Sequence, residues 1–298
     1  MKPILKYRGG KMREIPQILP YIPTDFDTYI EPFLGGGAVY FYLNHRPSII
    51  NDINEKLMTF YRQLRDNFDE VKTQLKALQE QYELNQLEYE QKKAVAGPDK
   101  RVENKNEALY YLMRDEFNYN SGKYLESVVY FFINKTAYSG MIRYNQNGEY
   151  NVPFGRYKNF NTDLITRQHY ELLKNTEILN TDFSEVFAMA KSDDFMFLDP
   201  PYDTTFHDYG NDQPNGFSEE EHVRLAREFR NLQCKALMII GKTDLTERLY
   251  GDYVLGEYHK QYSVNIRNRF KNEAKHLIVA NYMPANTTCL EAATTSGK

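Results

Sequence analysis

Two cysteines in 298 residues, Cys234 and Cys289, are too few for a disulfide framework and do not form a metal-ligand spacing. Both read as reduced thiols, Cys234 packed near a strand and Cys289 in a polar tail. The six histidines, at 45, 169, 207, 222, 259 and 276, include no pair at the spacing a zinc site uses. A metal is not indicated. The chain has no apolar run of about 18 residues, and its amino terminus lacks the charged, apolar and small-residue order of a signal peptide. Neither a membrane span nor export is expected, and the reading is cytoplasmic.

A dominant charge sign is also missing, since 37 Lys and Arg stand against 41 Asp and Glu for a net charge of -4. The total gives no sign of a nucleic-acid partner, but the distribution is uneven. Basic residues gather in residues 1–13 (Lys2, Lys6, Arg8, Lys11, Arg13), in 119–160 (Lys123, Lys135, Arg143, Arg156, Lys158) and in 259–276 (Lys260, Arg267, Arg269, Lys271, Lys275). Converging on one cleft, they can neutralise phosphates; each can equally be a solvated face.

The length fits one sizeable core with a smaller lobe. Hydrophobic content of 41% and charged content of 26% are those of an ordinary globular protein. Short apolar or β-branched runs at 28–33, 48–54, 177–182, 195–198, 235–241, 254–264 and 276–282 predict strands. Helical patterns at 38–44, 161–174 and 218–231 fall between them, the last opening on Ser218 with Glu221 in capping-box position. This alternation predicts an α/β fold with a mostly parallel sheet covered by helices. It breaks from about 57 to 158, where helical patterns at 68–93, 107–117 and 125–134 predict an inserted helical lobe. A Gly97-Pro98 break predicts a surface loop over 94–106. The expected division is 1–56 with 159–284 as the sheet domain, 57–158 as the lobe, and 285–298 as a disordered tail.

Chemistry concentrates at the strand ends. Phe195-Met196-Phe197-Leu198 runs into Asp199-Pro200-Pro201-Tyr202. A carboxylate and a carbonyl on a rigid corner can accept both hydrogens of one amino group, and a tyrosine can stack on the ring that bears it. The same corner can also be strand-ending punctuation. After the first strand, Glu31-Pro32-Phe33-Leu34-Gly35-Gly36-Gly37 offers a tight turn with close approach to backbone amides. Its spacing is not the dinucleotide fingerprint, and no phosphate-cradle lysine follows. About 15 residues on, Asp52 ends the second strand, where a carboxylate can bind ribose hydroxyls.

These motifs, with Leu5-Lys6-Tyr7-Arg8-Gly9-Gly10-Lys11, Asn51-Asp52-Ile53-Asn54, Arg143-Tyr144-Asn145 and the run from Gly148 to Lys158, occur in the order seen in Dam-type DNA adenine methyltransferases. The chain resembles that family from about Ile4 to Tyr282. The resemblance implies a Rossmann-like methyltransferase sheet, mostly parallel with an antiparallel edge strand, carrying an inserted helical target-recognition lobe and hairpin. It implies S-adenosylmethionine as methyl donor and adenine in double-stranded DNA as acceptor. Asp199, Pro200 and Tyr202 would grip the target base. Tyr7, Lys11, Phe33, Gly35, Gly37, Asp52, Asp182, Phe183 and Asp199 would line the cofactor site, Asp52 on the ribose and Asp182-Phe183 on the adenine. Tyr7 and Phe33 can also be plain core, and Asp182 a helix cap.

By the same resemblance, a hairpin from Tyr138 to Lys158 enters DNA. Tyr138 inserts beside the flipped base, Met141, Arg143 and Pro153 read bases, Arg156 meets phosphate and Lys6 a guanine at the site edge. Ser139 stands where members that read GATC often have Asn, Met141 replaces a Leu, and the lobe is longer near 75–100. A GATC-like target is expected. An amine methyltransferase acting on an RNA base or a glutamine, and a catalytically inactive DNA-binding module, are the rival readings. A cognate restriction endonuclease is compatible with the resemblance, and no stable protein partner is implied.

Overall fold

The first five strands are short apolar runs, and β-branched or aromatic side chains on both faces suit them to a sheet covered on both sides. A computed structural model of the chain describes residues 1–7, 9–96, 100–202, 217–259 and 275–284. Among them, β1 (Tyr29–Glu31), β2 (Ser48–Asn51), β3 (Thr176–Leu179), β4 (Phe195–Leu198), β5 (Lys235–Gly241), β6 (Val254–His259) and β7 (Lys275–Ala280) form one sheet in the order β3-β2-β1-β4-β5-β7-β6. β1 to β5 are parallel, and β7 pairs antiparallel with both β5 and β6. The expected Rossmann-like sheet is present, with the antiparallel part formed by two strands.

The chain builds β1, β2 and β3 outward in one direction, then returns to lay β4 beside β1. Strand order reverses there, which opens a crevice beyond the carboxyl ends of β1 and β4. The glycine run follows β1 and Asp199 follows β4, so topology alone brings the two motifs together.

The helices are α1 (Ile15–Ile18), α2 (Ala38–Leu43), α3 (Glu55–Asp66), α4 (Phe68–Ala96), α5 (Lys105–Tyr119), α6 (Glu126–Thr136), α7 (Arg167–Leu173), α8 (Phe183–Met189), α9 (Glu219–Asn231) and α10 (Asp244–Tyr250). Ser218 caps α9 by accepting from Glu221 N, as its sequence predicts. The helix expected from 161 starts only at Arg167. Gln79 of α4 binds the Thr162 backbone and hydroxyl, holding this segment as a loop, and Thr166 with His169 forms the capping box.

The loop expected over 94–106 is shorter at both ends. α4 continues to Ala96 and α5 begins at Lys105, while residues 97–99 lie outside the described ones. Asn106 is fully buried, accepting from Asn85 Nδ2 and donating to Tyr82 O. Polar sequence suggested a surface here because the pairing partner lies a helix away. The expected tail 285–298, the strand-like run beyond His259 and Cys289 also lie outside the described residues.

One face of the sheet (Ile30, Met196, Leu198, Met238, Ile240) packs on α8 and α9 through Val186, Phe187, Leu225 and Phe229. The opposite face (Tyr29, Phe195, Phe197, Leu237) joins an aromatic core that runs on through Phe41, Phe60, Phe131, Phe132 and Phe160 without a break. Each fully buried Phe contributes about 1.5–3 kcal/mol. That continuity anchors the α3–α6 helices to the sheet edge that carries the crevice. Among the described residues, no helix is long and apolar enough to cross a membrane.

Candidate active site

Asp199 emerges from the carboxyl end of β4, but the group that meets it comes from the other end of the sequence. A 3-10 turn at Lys11–Arg13 carries Lys11, only 2% exposed. Its Nζ lies 2.6 and 2.7 Å from Asp199 Oδ1 and Oδ2, 2.7 Å from Tyr202 Oη and 3.1 Å from Gly9 O. An ammonium has three hydrogens, so this cation is fully engaged. Lys11 lines the cleft, and its charge sits on the Asp199–Tyr202 corner, where it is engaged by that carboxylate. The turn is pinned from behind by Glu14, which accepts from Tyr258 Oη at 2.5 Å and lies 2.8 Å from His276 Nδ1. The His276 ring meets Tyr202 edge to face at 5.0 Å, so Lys11 and Tyr202 share one support.

The glycine run follows from its neighbours. A Cβ on Gly35 would lie 2.9 Å from the Tyr7 ring, and one on Gly36 2.8 Å from Tyr7 Cβ. Gly37 takes φ 64°, in the left-handed region, and heads α2. Tyr7 therefore fills the space above two of these glycines, a role beyond lining. Asp52 closes the loop by accepting from Gly35 N at 2.8 Å and Asn54 N at 2.9 Å, and burial raises its carboxyl above the usual range despite these bonds. Asn51 donates to Pro32 O and Thr181 O, tying the ends of β1 and β3 across β2.

At the far end, Phe33, Phe183 and Phe217 form an aromatic corner with centroids 5.4 to 6.2 Å apart. Asp182 caps α8 through Ser184 N at 2.9 Å, the plainer role foreseen for it, and also pairs with Arg224. That guanidinium, with the Ser184 bonds, holds the Asp182 carboxyl far below the ordinary carboxylate range. Tyr7, Lys11, Phe33, Gly35, Gly37, Asp52, Asp182, Phe183, Asp199, Pro200 and Tyr202 all line one cleft.

Glu31 also lines it and had no assigned role. Its Oε2 accepts from Tyr29 Oη at 2.6 Å and Tyr40 N at 3.1 Å, and burial pushes its carboxyl up to about 8. The folded state thus holds a proton that the unfolded chain releases near 4.5. Wild-type stability accordingly falls as pH rises from about 5 to 8 and levels off above, the slope approaching about 1.4 kcal/mol per pH unit from this group. Glu31→Gln keeps the acceptor and removes the titration. Urea unfolding at pH 5.5 and 8 is expected to show the variant gaining on wild type at the higher pH; parallel curves would refute a proton on Glu31.

The residues expected to meet DNA gather apart from the cleft, around the carboxyl end of α6. Asn134 exchanges hydrogen bonds with the Lys6 backbone, Gly140 packs on the Lys6 stem, and Lys6 Nζ lies 4.3 Å from the Tyr157 ring centroid. Tyr138 is exposed, and Tyr138 N donates to Pro153 O. Ser139 takes φ 54°, a left-handed conformation that Asn tolerates better than Ser. Met141 is half-buried against the core, Arg143 donates to Asn151 Oδ1, and Arg156, at φ 54°, is exposed. The expected hairpin is held by isolated antiparallel bridges, Ala137 to Phe154 and Tyr144 to Tyr150, instead of a ladder. Asn145 Oδ1 forms its tip by accepting from Asn147 N and Glu149 N. Two of the basic segments thus meet here. In the third, Lys275 pairs with Glu257, and residues 260–274 lie outside the described ones.

Glu14, Glu31, Arg224 and His276 were not foreseen. Only Glu221-Arg224, three residues apart on a helix, carried a local signal, and it reads equally as a surface pair. Cys234 is buried, its thiol pushed up to about 11 by burial, as suits a packing residue.

The chain is 36% identical over 290 residues to the Type II methyltransferase M.CviBI of Paramecium bursaria Chlorella virus NC1A, covering 95% of this chain and 100% of that protein. It is 32% identical over 308 residues to the Type II methyltransferase M.MjaIII of Methanocaldococcus jannaschii, covering 95% and 99%. It is 26% identical over 285 residues to the DNA adenine methylase of Haemophilus influenzae, covering 93% and 92%. Residues 7–266 match the D12 class N6 adenine-specific DNA methyltransferases, and the chain belongs to that family.

Proposed function

We propose that this enzyme flips an adenine out of duplex DNA at a GATC-like site and methylates its exocyclic amine directly from S-adenosylmethionine. The observation that carries the reading is the meeting, in one cleft, of Asp199-Pro200-Pro201-Tyr202 with the glycine loop, Asp52 and Asp182. The cleft fits an adenosine-bearing donor. Asp52 would take the ribose hydroxyls, with Phe33 and Phe183 offering ring faces near the acceptor Asp182. When bound, S-adenosylmethionine supplies a methyl group already activated by its sulfonium.

The protein is then left with alignment. The amine lone pair is delocalised into the adenine ring. Asp199 and the Pro200 carbonyl accept the amine hydrogens and aim that lone pair, and Tyr202 stacks on the base. With the donor bound, its sulfonium would be the leaving group as the amine nitrogen gains the methyl, and Asp199 would take the amine proton released through their hydrogen bond. Extruding the base costs a few kcal/mol. Tyr138 beside the vacated stack, Ser139 at the same turn, Lys6, Met141, Arg143 and Pro153 on base edges, and Arg156 on phosphate offset that cost. The Type II names of two relatives favour service in a restriction–modification system.

Expression in a host without adenine methylation, followed by sequencing for N6-methyladenine, tests the reading. One short GATC-like motif is expected; no methylated adenine would overturn it. With Arg143→Ala, methylation is expected to persist and spread to near-cognate sites, since a bidentate arginine–guanine pair contributes about 1–3 kcal/mol of discrimination. An unchanged motif would remove Arg143 from the base readers.

A further inference from the structure

The acceptor at the aromatic end of the cleft is held by a residue to which nothing above assigns a role. Arg224 of α9 makes a two-pronged pair with Asp182, Nη1 to Oδ1 at 2.7 Å and Nη2 to Oδ2 at 2.8 Å. The guanidinium is itself fixed by Ser184 Oγ at 2.6 Å and Glu221 Oε2 at 2.5 Å, and it lies over the Phe183 ring, 4.1 Å from the centroid. One planar group therefore sets both the plane of a carboxylate and the ring beside it.

As a stabilising element this pair is minor, because its side chains are 27% and 43% exposed and water screens pairs of that kind. Its geometric consequence is larger. A half-exposed aspartate can rotate freely, whereas a carboxylate gripped by an arginine fork has its plane fixed. Oδ1 takes Ser184 N and Nη1 and Oδ2 takes Nη2, so Oδ2 is the oxygen with capacity for a further donor. An ionised carboxylate takes N–H or O–H donors, and next to the rings of Phe33, Phe183 and Phe217 an aromatic amine is the donor that fits.

We propose that Arg224 is a positioning residue that presents Asp182 to the exocyclic amine of the cofactor's adenine and so sets the cofactor's base preference. This rests on the reading of the cleft as the S-adenosylmethionine site. The test is calorimetric binding of S-adenosylhomocysteine to the full chain without DNA, beside the analogue with purine in place of adenine. Wild type should prefer the adenine compound by about tenfold or more, as expected for a charge-assisted hydrogen bond. Arg224→Ala should lose most of that preference by weakening the adenine compound alone, and Arg224→Lys, which keeps the charge without the fork, should lose part of it. Equal weakening of both compounds, or an undiminished preference, overturns the proposal. Asp182→Asn keeps the helix cap and should abolish the preference. If Asp182→Asn retains it, the adenine reading at Asp182 fails; if Asp182→Asn abolishes it and Arg224→Ala does not, only the role of Arg224 fails.

Discussion

Asp199→Ala is expected to lower the single-turnover rate of methyl transfer to duplex DNA by about 10²–10³-fold or more, the range seen when one preorganised polar group is removed from a reacting centre. The target nitrogen of the proposed reaction is a poor nucleophile, and among the described residues nothing else in the cleft repeats the Asp199 carboxylate beside the Pro200 carbonyl. The substitution also leaves the Lys11 ammonium with only Tyr202 Oη and Gly9 O, a cation in the space the amine must enter. Asp199→Asn separates the two effects, because it keeps the volume and one acceptor while adding donors that oppose an amine. Both variants should lose transfer, the alanine more severely. Because Asp199 also borders the cofactor site, S-adenosylhomocysteine binding should weaken as well, but by less than the rate. A rate within tenfold of wild type in Asp199→Ala would remove the carboxylate from the chemistry.

How much of this was legible depended on sequence distance. β4 and β5 ended where their apolar runs ended, because strands buried on both faces write their limits in hydrophobicity. The glycine run and Asp199 were readable as strand-end motifs, and alternation of strands and helices was enough to put both at one edge. The fork between Asp182 and Arg224 was not readable. Forty-two positions separate the partners, and their meeting depends on how α8 and α9 lie on the sheet. Lys11 was expected beside the cofactor from the resemblance and lies in the cleft, but its partner, 188 positions away, is fixed only by the tertiary fold. Glu31 shows a third kind of limit. A glutamate at a strand end looks solvated, and only the closure of Tyr29 and Tyr40 over it makes it buried and proton-holding. The ends of the loop expected over 94–106 have the same origin, since Asn106, inside α5, looks like a surface residue until it is paired with Asn85.

Lys11→Met is expected to cost about 3 kcal/mol of stability, the lower end for breaking a buried ion pair, because Asp199 keeps some exposure at 22%. Methionine matches the length of the lysine stem and leaves a carboxylate without its counter-charge. Transfer should fall by about 10²-fold, the scale for a reacting group displaced by a fraction of a bond length, since Lys11 sets both Asp199 and Tyr202. The double variant Lys11→Met with Asp199→Asn removes both charges and should recover most of the stability, because a neutral amide needs no counter-ion. It should not recover the rate. Urea unfolding of the four proteins gives the coupling directly, and single-turnover kinetics on the same set gives the catalytic side. Additive stability losses, or Lys11→Met unfolding at the wild-type urea concentration, would mean that the pair is not coupled in solution. A double variant that regained transfer along with stability would mean that Asp199 acts only by holding Lys11, and the assignment of the amine acceptor would have to move to another group in the corner.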